Sequence, residues 1–230
     1  AQMQAQFMPT LQVASRLGDI DMPAKTQLEL ALANTPESFQ AARLPTAVDI
    51  AGVSTTQIER YIAVQTDDAY KTSGFQAESM RLTGKGITLQ EGWHCDASEP
   101  VEFDLEPDGR IAAFTRCVVA AGNHAAGIAL PQGTAVWRTE GNVYTDGFVD
   151  DDRWSLEPPK DQVVEIASLP LLGPLIRLTE QRQLHEVSQA TLAQPTQRDG
   201  QSYPAGTQAR FNARSERALS PQQWRITPTP

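Results

Sequence analysis

The sequence predicts an all-β protein made of about six β-hairpin units in tandem, and three observations lead there. An apolar residue opens a short run at Phe39, Phe75, Ile111, Phe148 and Leu184, at intervals of 36, 36, 37 and 36 residues. Recurrence at such a period marks a chain assembled from repeated supersecondary units. A Pro-x-Gly-Thr turn precedes a strand-like run at Pro131 and at Pro204, and a variant with Lys25 in place of glycine does so at Pro23. Finally, 16 prolines and 15 glycines punctuate 230 residues, which favours short strands and turns over long helices.

Taken in chain order, residues 1–18 are expected to form an N-terminal arm or cap, because Gln4 to Leu17 has few breakers apart from Pro9 and suits a short helix or an arm. Residues 19–230 are expected to form one β-repeat domain, with no linker composition to divide it. The clearest hairpin is in the middle. Pro100 to Leu105 alternates apolar and polar residues, the period of a half-buried strand. Glu106-Pro107-Asp108-Gly109-Arg110 supplies turn chemistry, and Ile111 to Val119 returns. A small-residue segment, Ala120 to Ala126, leads to the Pro131 turn and a strand over Ala135 to Arg138. Thr179 to Gln194 has a helix-compatible composition, but alignment with the other units makes it a strand.

Strand centres near Leu30, Val64, Phe103, Trp137, Arg177 and Phe211 lie 34, 39, 34, 40 and 34 residues apart, so steps of two units are 73 or 74. The building block is then a pair of hairpins of about 73 residues, present three times. One hairpin cannot bury its apolar face alone, so neighbours stack on it. The sheet is expected to be elongated, or curled into a sandwich or barrel that removes its edges.

Charge and hydropathy exclude several roles. With 19 basic against 28 acidic residues the net charge is −9, which argues against nucleic acid and against docking on anionic lipid. No run reaches the roughly 20 apolar residues of a transmembrane helix. The opening AQMQAQFMPT resembles what remains after cleavage behind a small residue, so export to a periplasm, cell envelope or extracellular space is expected.

Catalytic chemistry finds little support. Trp93-His94-Cys95-Asp96 gathers reactive types, but neighbours on a strand point to opposite faces, so His94 cannot serve Cys95 as a base. His94, His124 and His185 have no ligand spacing, and with two cysteines no zinc signature can be assembled. Asp146, Asp150, Asp151 and Asp152 are expected to be a solvated acidic turn, and Glu102 and Asp104 the solvent face of a strand. No catalytic residue, metal site or cofactor is therefore expected, and the chain leans towards a non-enzyme.

Two features carry specific expectations. Pairing Glu106 with Arg110 places Cys117 opposite Glu99, four residues after Cys95, close enough for a Cys95–Cys117 disulfide after a modest bend. Leu169, Leu171, Leu172, Leu175 and Ile176 crowd a proline-broken segment, an expected interaction site for a protein partner or for self-association. The leading expectation is a structural or interaction module of a bacterial-type cell envelope or surface. The alternative is a carrier that holds a lipid or other apolar ligand in a curled sheet, and the third is a secreted hydrolase with a loop-borne site. If the cysteines are paired, intact mass after alkylation without reductant shows no added label. Two labelled thiols would refute the pairing.

Overall fold

Burial with a period of two runs through the strands of the computed structural model, which describes residues 6–213 and 224–227. The fold is all-β, and its large antiparallel sheet numbers 14 strands. The chain divides into two compact units, residues 1–117 and 118–230.

In the first unit, β1 (Ser15–Leu17) and β2 (Ile20–Met22) form a small hairpin. Then β3 (Gln27–Leu30), β4 (Phe39–Ile50), β5 (Val53–Thr66) and β6 (Thr72–Gly84) pair in sequence order as antiparallel neighbours. A second small hairpin, β7 (Ile87–Gln90) with β8 (Trp93–Asp96), precedes β9 (Val101–Leu105), which pairs with β6 and with β10 (Ile111–Val118). The expected arm is tied in from residue 6 onward: Asn34 N–H donates to Gln6 O, Leu28 N–H to Pro9 O and Leu11 N–H to Thr26 O.

The central hairpin forms as expected. Glu106 N–H donates to Arg110 O at 2.7 Å, and Leu105 stands opposite Ile111. β9 buries Val101, Phe103 and Leu105 and leaves Asp104 exposed. Glu102 departs from the expected solvent face, because Arg81 and Arg116 lie 2.6 and 3.5 Å from its carboxylate and half-bury it. The Cys95–Cys117 disulfide is present, with Cα atoms 5.9 Å apart. Two register shifts in β10 and the separate β7–β8 hairpin alter its setting: the bridge ties β8 to β10 rather than closing the mouth of the β9–β10 hairpin. Closing a loop of this size contributes about 3 kcal/mol.

In the second unit, a small hairpin of β11 (His124–Ala125) and β12 (Ile128–Ala129) leads to β13 (Ala135–Arg138), which covers the residues expected for it. β14 (Asp152–Glu157) pairs with β13 and with β17 (Leu175–Thr179). β15 (Val164–Ile166) and β16 (Leu169–Leu172) form the hairpin between them. β18 (Leu184–Leu192) is the hub, bonded to β17, β16 and β21 (Gln208–Asn212). β19 (Thr196–Arg198) and β20 (Gln201–Tyr203) form one more small hairpin, and β22 (Trp224–Thr227) pairs with β21. Thr179 to Gln194 is thus a strand region despite its helix-like composition, because Val187, Ala190 and Leu192 are needed in the core.

Six hairpins turn through two-residue loops: Gly18-Asp19, Ala51-Gly52, Glu91-Gly92, Ala126-Gly127, Ala167-Ser168 and Asp199-Gly200. Both residues have positive φ in every one, the conformation that matches the twist of the flanking strands. The loops fall 33, 40, 35, 41 and 32 residues apart. Their arms differ widely, from two residues in β11 to 14 in β5, so what recurs is the turn and not a uniform hairpin of 36 residues.

Three of these hairpins run into the Pro-x-x-Thr turns. The threonine hydroxyls donate to the carbonyls of Pro23, Pro131 and Pro204 at 2.7, 2.7 and 2.6 Å. Each third residue (Lys25, Gly133, Gly206) has positive φ and donates its N–H to the carbonyl of Leu11, Val119 or Leu192, the residue 12 positions before the proline. Those residues return an N–H to the carbonyls of Thr26, Thr134 and Thr207. Threonine suits the position because its methyl group packs in the interior while its hydroxyl is satisfied locally.

At Gly84 the strands approach too closely for any side chain, since a Cβ there would lie 1.6 Å from the Ser54 carbonyl oxygen. The Gly84→Ala variant is expected to lose about 3 kcal/mol, because the β5–β6 ladder must separate locally. A urea titration checks this, and an unchanged midpoint would refute it.

Candidate functional site

The second unit buries charged groups that the sequence placed in solvent. Asp150 precedes β14, Asp152 opens it, Arg177 comes from β17 and His185 from β18. Pairing of Ser155 with Arg177 and of Arg177 with Glu186 brings the three strands together, so residues 33 to 35 apart in sequence meet. Asp150 and Asp152 are each 1% exposed and His185 3%, whereas Asp151 between them is exposed. The expected solvated acidic turn is therefore corrected: the bend at Asp151 leading into β14 leaves Asp151 outside and turns Asp150 and Asp152 inward.

His185 Nε2 lies 2.7 Å from Asp150 Oδ1, and the Asp151 N–H donates to the same oxygen at 3.1 Å. Tyr144 Oη donates to Asp150 Oδ2 at 2.9 Å. Arg177 Nη1 donates to Asp152 Oδ2 at 3.0 Å. Asp152 Oδ1 is buried with no hydrogen-bond partner among the described residues. One ligand-type atom from each of Asp150, Asp152 and His185 lies within 4.8 Å of the other two. The preceding loop is pinned over the cluster by Arg153 Nη1, which donates to the carbonyls of Asp150 and Asp152 at 2.7 Å each. Gly141 is required there, since a Cβ would sit 2.5 Å from Asp150 O. Asp-x-Asp at the head of a strand was the only signal of this cluster in the sequence. Its histidine partner lies four strands later in the chain.

In the first unit the outstanding feature is an arm. β5 and β6 pair from Thr55–Gly84 to Thr66–Thr72, but β4 accompanies β5 only as far as Glu59 and β9 accompanies β6 only from Ser79. Beyond those points the hairpin has no other ladder partner among the described residues, and residues 65–73 are all exposed. Tyr61 is 63% and Tyr70 91% exposed. At its root Arg60 is buried without a carboxylate. Its Nε donates to Phe39 O at 2.9 Å, its Nη2 to Glu37 O, and its guanidinium lies 3.6 Å from the centre of the Phe39 ring. Burial pushes its pKa down to about 10, so it remains charged at neutral pH and anchors the arm as a cation held by carbonyl oxygens.

The first unit also has an open cleft of about 420 Å³, lined by Asp19, Asp21, Asp49, Arg110, Ile111 and Met80 among others. Cys95 is spent in the disulfide, and His94 and His124 are exposed. Of the residues expected to form an interaction site, Leu169, Leu171 and Ile176 are buried, while Leu172 and Leu175 are half-buried. Prolines do not prevent pairing there: Pro170 sits in β16 opposite Glu165, and the leucines fill the core of the second unit rather than a free surface.

No protein-family model matches the chain, and no curated protein or solved structure matches it. Within the buried cluster, Tyr144→Phe is expected to cost about 2 kcal/mol by removing a donor to an ionised acceptor. Equilibrium unfolding checks it, and a variant as stable as the parent would refute the assignment.

Proposed function

We propose that this chain is a non-enzymatic structural module that associates with a second copy of itself through the free β5–β6 arm. The observation that carries this reading is the character of the arm's edges. Tyr61 to Thr66 and Thr72 to Ala77 contain no charged residue and no proline. Strand edges of monomers are ordinarily blunted by lysine, proline or a covering element, because an open edge templates pairing with another chain; here register shifts at Tyr61/Ile62 and Gln65/Thr66 bound the segment Ile62 to Gln65, which pairs regularly between them. One face of the arm is apolar: Ile62 stands opposite Ala77 and Val64 opposite Phe75. Antiparallel pairing of β5 with its twin about Ala63 brings Ile62 of each copy opposite Val64 of the other, a self-complementary contact of the kind that two-fold dimers use. The net charge of −9 opposes association elsewhere on the surface, and the arm segment is free of that repulsion.

The disulfide supports an oxidising compartment. Such bonds persist in oxidising surroundings, which favours an exported protein of a cell envelope or surface. Among the described residues no helix is long and apolar enough to cross a membrane.

The reading predicts concentration-dependent dimers in sedimentation velocity, and a dissociation constant at least about 10-fold weaker for the Val64→Lys/Phe75→Lys variant with unchanged circular dichroism. A wild-type protein that stays monomeric at about 100 µM, well above the weak-dimer range, would refute it. A monomer that carries lipid in native mass spectrometry would favour the carrier alternative.

A further inference from the structure

We infer that Asp150, Asp152 and His185 form a binding site for a divalent transition-metal ion of the zinc type, and that the ion is structural. The site does not depend on the arm or on self-association. Two independent observations support it. First, an imidazole nitrogen and two carboxylate oxygens lie within 4.8 Å of one another and all three residues are buried. That donor set, one nitrogen and two oxygens, is the kind zinc takes at about 2.0–2.2 Å per bond, and three protein ligands are enough to hold it. Second, Asp152 Oδ1 belongs to a residue that is 1% exposed, yet it accepts no hydrogen bond among the described residues. A carboxylate oxygen that is stripped of water and left unpaired is costly, and a cation is the partner that removes the cost without a donor.

The surrounding groups are arranged as supports for the ligands. Tyr144 Oη holds Asp150 Oδ2 at 2.9 Å, and Arg177 Nη1 holds Asp152 Oδ2 at 3.0 Å. Asp152 Oδ1 is thereby left for the ion, while Asp150 Oδ1 is oriented by the Asp151 N–H at 3.1 Å, the role that outer hydrogen bonds play in metal sites. Two arginines attend the two carboxylates, Arg177 on Asp152 Oδ2 and Arg153 on the backbone carbonyls of Asp150 and Asp152, and neither takes up Asp152 Oδ1. Binding replaces the proton between His185 Nε2 and Asp150 Oδ1. The one ring proton of the neutral imidazole moves from Nε2 to Nδ1, so Nε2 ligates through its lone pair and no net proton is released. The 2.7 Å contact between those two atoms opens slightly to span adjacent ligands of one ion. Because the ligands come from the lead into β14 and from β18, with Arg177 of β17 behind them, the ion would cross-link the middle of the second unit.

The test uses the full chain, freed of metal with a chelator and titrated with Co²⁺ and Zn²⁺. The expected result is one ion per chain, a visible Co²⁺ spectrum of low-symmetry type, and a raised thermal midpoint. Asp152→Asn and His185→Gln are expected to weaken binding at least about 30-fold. If these variants do not fold, the His94→Gln/His124→Gln variant decides, because both changes are on the surface and leave His185 as the one histidine of the chain. Retention of stoichiometric binding in that variant supports the site. Failure of the wild type to take up metal, or loss of uptake in the double surface variant, would overturn it. Neither result bears on the arm.

Discussion

Everything in this fold depends on turning a strand back in two residues. Six loops do so with both residues in the left-handed region, and four of the six place a non-glycine residue first and glycine second. Such loops twist in the same sense as the strands they join, so the two strands of each hairpin leave the turn in register with each other. The Pro-x-x-Thr turns extend this control to the next strand. A buried threonine satisfies its own hydroxyl on the proline carbonyl, and the backbone on both sides bonds to the residue 12 positions before that proline. The start of β3, β13 and β21 is thereby specified by the same set of hydrogen bonds in three separate places.

The two units use charge differently. In the first, Arg60 is buried against carbonyl oxygens and an aromatic ring, where it secures the root of a long hairpin whose outer part carries no charge along its edges. In the second, two carboxylates and a histidine are buried together beside the half-buried Arg177. Buried charges survive only when paired, and the one oxygen left over at Asp152 is what distinguishes this cluster from a closed ion-pair network. Of the apolar residues of β16 and β17 that were conspicuous in the sequence, Leu169, Leu171 and Ile176 are buried and Leu172 and Leu175 half-buried.

Strands, turns and the disulfide were legible in the chain because each rests on local rules. Alternation marked β9, proline-glycine chemistry marked its turn, and the composition of Ala135 to Arg138 marked β13. The pairing of Cys95 with Cys117 was reached by counting across a hairpin, although bulges and the β7–β8 hairpin changed the setting of the bond. The recurrence was legible as a spacing of turns, while the arm lengths between them were not, since a turn does not set how far its strands extend.

What the chain alone dictated was therefore local: which residues alternate, where the backbone must bend left-handed, and which two thiols can meet. Long-range pairing decided the rest. Only the β14–β17–β18 ladders carry His185 to Asp150, and only the end of β4 at one side and of β9 at the other leaves the β5–β6 arm without neighbours. Short-range patterns report which face of a strand is buried. Which strands share that face depends on contacts between residues far apart in the chain, where sequence spacing carries no information.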